Sequence, residues 1–237
     1  WLDFLDQWDP KSPWHDKRVR QAASLAIDRN AINQAEMLGL GKATSAFVPP
    51  EFEFSMKFET TPFDPKRAKQ LLAEAGFANG FDAGDITPLP PYTTLGETVS
   101  GMLQAIGIKS RVRTMERATF LTTWREKKLR GLLIGATGAA GNAAARIEPF
   151  FTKTGFYAYG SLPQIDELFQ SQARETDRKR REAQLHQIQQ IVHDQVLAAP
   201  IFQQGFLCAV GARVAESSLG LIQGFPYAGP AEELRLK

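Results

Sequence analysis

Apolar and polar positions follow two periods along this chain, and the points where one period gives way to the other mark its elements. Val19, Ala22, Ala23, Ala26 and Ile27 recur at the helical spacing i, i+3, i+4, i+7, i+8, with Asp16 standing where an N-cap is needed. That spacing predicts a helix with a single apolar stripe. Asp64 and Pro65 open a second helix, Ala68, Leu71, Leu72 and Ala75 form its stripe, and Gly76 ends it. Val99, Met102, Leu103 and Ile106 predict a third, closed by Gly107. At Ile108 the period changes: Ile108, Ser110, Val112 and Thr114 alternate with Lys109, Arg111 and Arg113, which predicts a tight turn into a strand over residues 108–115.

Leu121 and Trp124 belong to a further helix, and the apolar run at 132–134 is too short for a helix and reads as a buried strand. The alternation of helix and strand predicts an α/β fold. Residues 135–161 lose periodicity: small residues are mixed with Phe150, Phe151, Phe156, Tyr157 and Tyr159. A solvated linker would not hold so many aromatics, so a functional loop is expected there. Ile165, Leu168 and Phe169 mark a short helix. Asp177 caps a longer one with Leu185, Ile188, Val192 and Val196 inward, closed by Pro200. Residues 201–210 are apolar on both alternations apart from Gln203 and Gln204, the pattern of a strand buried on both faces. Residues 211–237 carry turn residues and a terminal Leu234, Leu236 alternation but too little apolar content for a domain. They are expected to complete another unit's sheet.

Composition narrows the classes. The chain has 237 residues, the length of one large domain or one domain plus part of another. Its 28 Lys and Arg against 26 Asp and Glu leave a net charge of +2, which argues against a disordered tail, an acidic solvating domain and a strongly basic nucleic-acid binder. No window approaches the roughly 20 consecutive apolar residues of a membrane-spanning helix, and the first 30 residues lack the three-part order of a signal peptide. The single cysteine, Cys208, has no intrachain partner, so neither a disulfide framework nor a cysteine zinc site can form.

Few residues offer chemistry. His186 and His193 are seven apart on one helix, about 10 Å along its axis, too far to share an ion held at about 2 Å from each. No metal or cofactor is expected. Gly135, Gly138 and Gly141 fit neither phosphate-binding glycine pattern; small residues here would let the backbone approach a ligand or an opposing lobe, leaving Asn142 and Arg146 as the polar groups to meet it. No G-x-S-x-G elbow occurs, and Cys208 falls in the strand expected to be buried. The basic run at 178–181, with Asp177 and Glu182 beside it, reads as a solvated face. Lys109, Arg111 and Arg113 lack the interleaved aromatics of a nucleic-acid surface.

The order of the segments resembles one family. Asp16-Lys17-Arg18-Val19-Arg20-Gln21-Ala22 and Ala26-Ile27-Asp28-Arg29 carry the resemblance, followed by Phe63-Asp64-Pro65, Ala68-Lys69 and Leu71-Leu72-Ala73-Glu74-Ala75-Gly76-Phe77. The step from Leu103 to Ile108, then Ile165-Asp166-Glu167-Leu168, Asp177 with Arg181, and Ile188-Gln189-Gln190-Ile191-Val192 with Pro200 extend it through most of the chain. These blocks resemble the extracytoplasmic solute-binding proteins of peptide and nickel type ABC importers, family 5. The resemblance implies a two-lobed protein whose second lobe is inserted in the chain of the first. This chain is then expected to be a fragment of it: a periplasmic-binding-protein-like type II lobe with a mixed sheet and flanking helices. Residues 1–200 would be the inserted substrate-binding lobe, and 201–237 the hinge and returning segment that completes a missing N-terminal lobe. Trp8, Ile201, Phe202 and Gln203 are expected at the hinge. The implied role is non-catalytic: a peptide or other small solute is captured by cleft closure in the periplasm and handed to an ABC permease in the inner membrane. No nucleic-acid partner is implied, and truncation would explain the missing signal peptide.

In peptide-binding relatives an aspartate in the loop after the strand equivalent to 132–134 neutralises the ligand's amino terminus. This sequence has no Asp from 131 to 162 and offers Thr137, Asn142, Arg146 and Glu148 instead. An Arg and an Asn suit carboxylate, amide or hydroxyl groups, with Tyr157 and Tyr159 stacking or hydrogen bonding. Arg146 either meets the ligand or anchors the loop. Two readings from other classes stand beside this one: a hydrolase with its cleft at 135–161, whose candidate groups are Glu148 and a few hydroxyls, and a sensor or scaffold that kept the fold.

Overall fold

The computed structural model describes residues 1–138, 141–205, 208–222 and 228–237. The chain opens with strand β1 (Leu2–Phe4) and, after two 3-10 turns, enters α1 (Lys17–Leu25) and α2 (Arg29–Met37). Asp16 caps α1 by accepting from the backbone N–H of Arg18 at 2.8 Å, and Asp28 caps α2 by accepting from Ala31 at 2.9 Å. The two-residue strand β2 (Lys42–Ala43) precedes a long loop. Then follow α3 (Pro65–Glu74), β3 (Phe81–Pro88), α4 (Thr93–Ala105), β4 (Ile108–Val112), α5 (Arg117–Arg125) and β5 (Leu132–Ile134). The remainder is α6 (Ala143–Phe151), α7 (Pro163–Arg174), α8 (Arg178–Asp194) and the short strands β6 (Ala198–Ala199), β7 (Phe202–Gln203), β8 (Val214–Glu216) and β9 (Arg235–Leu236).

Five strands form one mixed sheet in the order β4-β3-β5-β1-β6. β3 runs parallel to β4 and β5, whereas β1 is antiparallel to β5 and to β6, with Leu2 opposite both Ile134 and Ala199. The period-2 alternation divides the side chains between two cores. Leu2, Phe4, Ile86, Leu132 and Ile134 face α1, α3 and α4, where Val19, Ala22, Ala68, Leu72, Val99 and Leu103 close against them. Leu133 and Ala198 face the other way, toward Phe120 and Trp124 of α5, Ile147 of α6, and Leu185 and Ile188 of α8. The result is a three-layer α/β lobe with a mixed sheet between helices. At one end of it Gly80 (φ +73°) and Gly107 (φ +100°) meet backbone to backbone. A Cβ on Gly80 would fall 2.0 Å from the Gly107 carbonyl oxygen, so the turn from α4 into β4 closes only with glycine at that contact.

Two expectations are corrected here. Residues 135–161 are not loop throughout: α6 lies inside them, capped by Asn142, whose Oδ1 accepts from Ala145 N at 2.9 Å. Ala143, Ala144, Ile147 and Phe151 are buried at helical spacing, a period hidden in the sequence by the alanine run and by Pro149 within the helix. Residues 201–210 do not form one buried strand either. Among the described residues only Phe202 and Gln203 are extended in a ladder, against the two residues of β2, and 208–210 are exposed; residues 206 and 207 lie outside the described set. The apolar content is there, but the only strand offered to it is two residues long. Cys208 is accordingly exposed rather than buried.

One position in the sheet breaks the apolar pattern. Asp3 of β1 lies directly opposite Leu133 and Ala198, on the second core face, and burial pushes its carboxyl up to about 6, only partly opposed by hydrogen bonding at Phe4. Because the folded pKa is raised, the folded state holds the proton more tightly than the unfolded chain. The contribution of Asp3 to stability is therefore greatest below about pH 4 and is lost as pH rises through 6. Asp3→Asn is expected to be more stable than the parent at pH 7.5 by about 1 to 3 kcal/mol, a range discounted because Asp3 is only half-buried. At pH 4 the two should coincide. Urea midpoints at both pH values check this; an equal difference at the two would show that the charge is not its source.

Candidate functional site

A cavity of about 740 Å³ opens where the carboxyl ends of the parallel strands converge, the usual ligand position in α/β sheets. Each wall follows from the topology. β3 delivers Leu89, and Tyr92 and Leu95 follow it. β5 delivers the segment from Gly135 to Gly138. Because β1 is antiparallel to both its neighbours, its first residue and the last of β6 reach this same end, so Trp1 and Pro200 stand side by side there. Phe47, Pro49, Pro50 and Phe52 come from the loop after β2, Arg117 from the start of α5, and Arg146 from α6.

Trp1 and Gly135 lock together through reciprocal backbone hydrogen bonds, each 2.9 Å, from Trp1 N to Gly135 O and from Gly135 N to Trp1 O. A Cβ on Gly135 would come within 2.5 Å of the Trp1 ring, so glycine lets the indole lie against the strand end. Phe47 and Phe150 pack edge-on against that indole, with centroids at 5.0 and 5.2 Å. Into this aromatic group runs the Arg146 guanidinium, with Cζ 4.8 Å from the Phe47 centroid, 5.2 Å from Trp1 and 5.8 Å from Phe150. Arg146 is 8 % exposed. Its Nε donates to Phe47 O at 3.2 Å and its Nη1 to Thr137 O at 3.3 Å. Burial lowers it to about 10, so it remains a cation at neutral pH.

The structure brings together five of the residues picked from sequence: Thr137, Arg146, Ile201, Phe202 and Gln203 all line this cavity. Arg146 both borders it and ties the loop after β2 to the segment after β5. The other picks lie apart from the lining. Asn142 caps α6. Tyr157 stacks on Trp124, centroids 4.0 Å apart, and on Phe150. Tyr159 accepts from Leu129 N at 3.1 Å, and burial pushes its phenol up to about 12. Trp8 packs over Gly160, several residues beyond the end of β1 that adjoins Ile201. Trp1, Phe47, Phe52, Tyr92 and Arg117 escaped the sequence reading. The aromatic and proline clustering from 47 to 54 was the available signal for one wall. A second cavity, about 610 Å³, lies between α1, the C-terminal end of α8 and residues 45–62, where Phe58 stacks on His193 at 4.3 Å; Phe47 and Pro200 border both cavities.

Comparison with known proteins places this architecture. Residues 3–158 match the bacterial extracellular solute-binding proteins, family 5 Middle. The chain is 29 % identical over 202 residues to heme-binding protein A of Haemophilus influenzae, covering 81 % of this chain and 37 % of that protein. It is 28 % identical over 211 residues to the dipeptide-binding protein of Escherichia coli, covering 83 % and 39 %. It thus spans about two-fifths of the length of these relatives. Its fold is shared with a dipeptide-binding protein from Pseudoalteromonas solved with Met-Leu, at a TM-score of 0.83 and 24 % identity over all of this chain and 48 % of that one. HbpA2 from Haemophilus parasuis shares it at a TM-score of 0.80 and 22 % identity, over 100 % and 47 %. The match over residues 3–158, well over half of the chain, makes this chain a member of the bacterial extracellular solute-binding proteins of family 5.

Proposed function

We propose that the chain is the solute-binding lobe of a two-lobed receptor that captures a peptide or related small molecule and delivers it to an ABC permease in the inner membrane. The observation that carries this reading is the cavity at the strand ends, walled by Trp1, Phe47 and Phe52 with a few polar groups among them, a composition suited to holding a small ligand. Among the described residues its lining has no His, Cys, Asp or Glu, so no acid–base pair or activated nucleophile stands there; the chemistry available is selection. Residues 1–200 form the inserted lobe in this reading. Residues 201–237 are the hinge and returning segment, which is supported by the exposed Val210, Leu219, Leu221 and Ile222 and by the β8–β9 pair standing apart from the five-stranded sheet. The chain crosses to the other lobe at Trp1 and at Ile201–Gln203, neighbours at one end of the β1–β6 ladder, and the lobes close about these two crossings. The working compartment is extracytoplasmic.

Calorimetry on the full-length protein and on this 237-residue chain tests the reading. A peptide ligand found by screening the full-length protein should bind this chain at least about tenfold more weakly, because half of its enclosing surface is absent. Equal affinity for the two would sink the two-lobed account.

A further inference from the structure

The protein contains three deeply buried arginines, Arg20, Arg29 and Arg146, none with a carboxylate within ion-pair distance among the described residues. Two of them spend every nitrogen on the protein. Arg20 donates from Nε to Val196 O, from Nη1 to Trp14 O and His15 O, and from Nη2 to Gln195 O. Arg29 donates from Nε to Pro200 O, from Nη1 to Ser24 O, and from Nη2 to Ser24 Oγ. Arg146 is the exception: Nε and Nη1 each find one carbonyl, and Nη2 takes no acceptor among the described residues. The arginine left incomplete is also the one that borders the large cavity. The body of Arg146 is buried among aromatics while its Nη2 stays open beside the cavity, and a cation so placed, with no carboxylate in reach among the described residues, favours an anion there.

The rest of the lining points the same way. Arg117 adds a second cation and no acidic residue opposes either; the nearby Glu51 is held at the rim by Gln203 Nε2 at 2.8 Å and Lys42 Nζ at 3.5 Å. Phe47 and Trp1 fix the plane of the Arg146 guanidinium and present flat apolar surface beside it. Taking the cavity as the solute site, as proposed above, we infer that it selects a solute carrying a carboxylate joined to a flat apolar body, with the carboxylate seated on Arg146 Nη2, and that it disfavours an ammonium group at that place. Two of the three guanidinium nitrogens are already bound to the protein, which leaves donors for one planar oxyanion and sets its direction.

The test is calorimetry on the full-length protein with three probes that share one body: N-acetyl-Leu-Phe, its C-terminal amide, and Leu-Phe amide with a free amine. The acid should bind about ten- to 100-fold more tightly than the neutral amide, the span of a charge-assisted hydrogen-bonded contact, and the amine most weakly. Arg146→Met should erase the preference for the acid, and Arg146→Lys should keep part of it. Should Arg146→Met fail to fold, because it also ties Phe47 to Thr137, the ranking of the three probes on the parent protein still decides. Binding of the neutral or amine probe as tightly as the acid overturns the anion assignment and leaves the receptor reading standing. Failure of all three to bind, while unrelated small molecules fail to bind as well, overturns both.

Discussion

Replacing Arg20 by Met is expected to cost about 3 to 5 kcal/mol. Arg20 is 5 % exposed and its guanidinium reaches four carbonyl oxygens at 2.6 to 3.0 Å. Those oxygens are not interchangeable with helix-internal ones. Gln195 and Val196 lie just past the end of α8, and Trp14 and His15 close the turn before α1, so Arg20 supplies the donors that these chain ends lack. Met fills the same length and donates nothing, leaving acceptors in a space water must enter. For a chain of this size the loss corresponds to a fall in Tm of about 6 to 20 °C. Arg20→Lys keeps the charge but cannot spread a planar fork over four acceptors, and it should lie between the two. Burial lowers Arg20 only to about 10, so the effect should be flat from pH 6 to 8. Urea midpoints with an unchanged slope are the measurement; a loss below about 1 kcal/mol would mean that solvent replaces the contacts.

Trp14→Ala is expected to destabilise by a similar amount, about 3 to 5 kcal/mol, for a different reason. The indole is 2 % exposed and lies on Phe4 of β1 at 5.0 Å and on Phe81 of β3 at 5.4 Å. In the sheet order these two strands are separated by β5, so one side chain closes the apolar face across three strands. Alanine leaves a hole that rigid neighbours on a sheet cannot collapse into. Trp14→Phe should recover most of the loss. A double-mutant cycle of Trp14→Ala with Phe81→Leu should return a coupling of about 0.5 to 1.5 kcal/mol, and strict additivity would contradict the contact.

What the sequence revealed and what it hid divide along a physical line. α3 was readable because everything that specifies it is local: Asp64 accepts from Arg67 N, Pro65 sits at the first helical position, and Gly76 takes φ +89°. β5 was readable because all three of its residues are buried and a helix would need more. β3 was not, since Gly84 at φ +74° and a register shift between Asp82 and Asp85 break its alternation. β1 was not, since Asp3 interrupts a three-residue strand with a charge. The same holds for the site. Arg146 was legible because small residues and aromatics concentrate around it, and Thr137 through the family resemblance of its loop; Trp1, Phe47 and Tyr92 join them at the candidate site only through sheet pairing and a loop crossing that no local pattern encodes.

The position of β1 also sets an order of events for the nascent chain. Its partners, Leu132–Ile134 and Ala198–Ala199, follow it by some 130 and 195 residues, so β1 is made long before either of the strands that seat it. Until β5 is made β1 stays unpaired, and the partly made lobe presents an open strand to other chains and to chaperones.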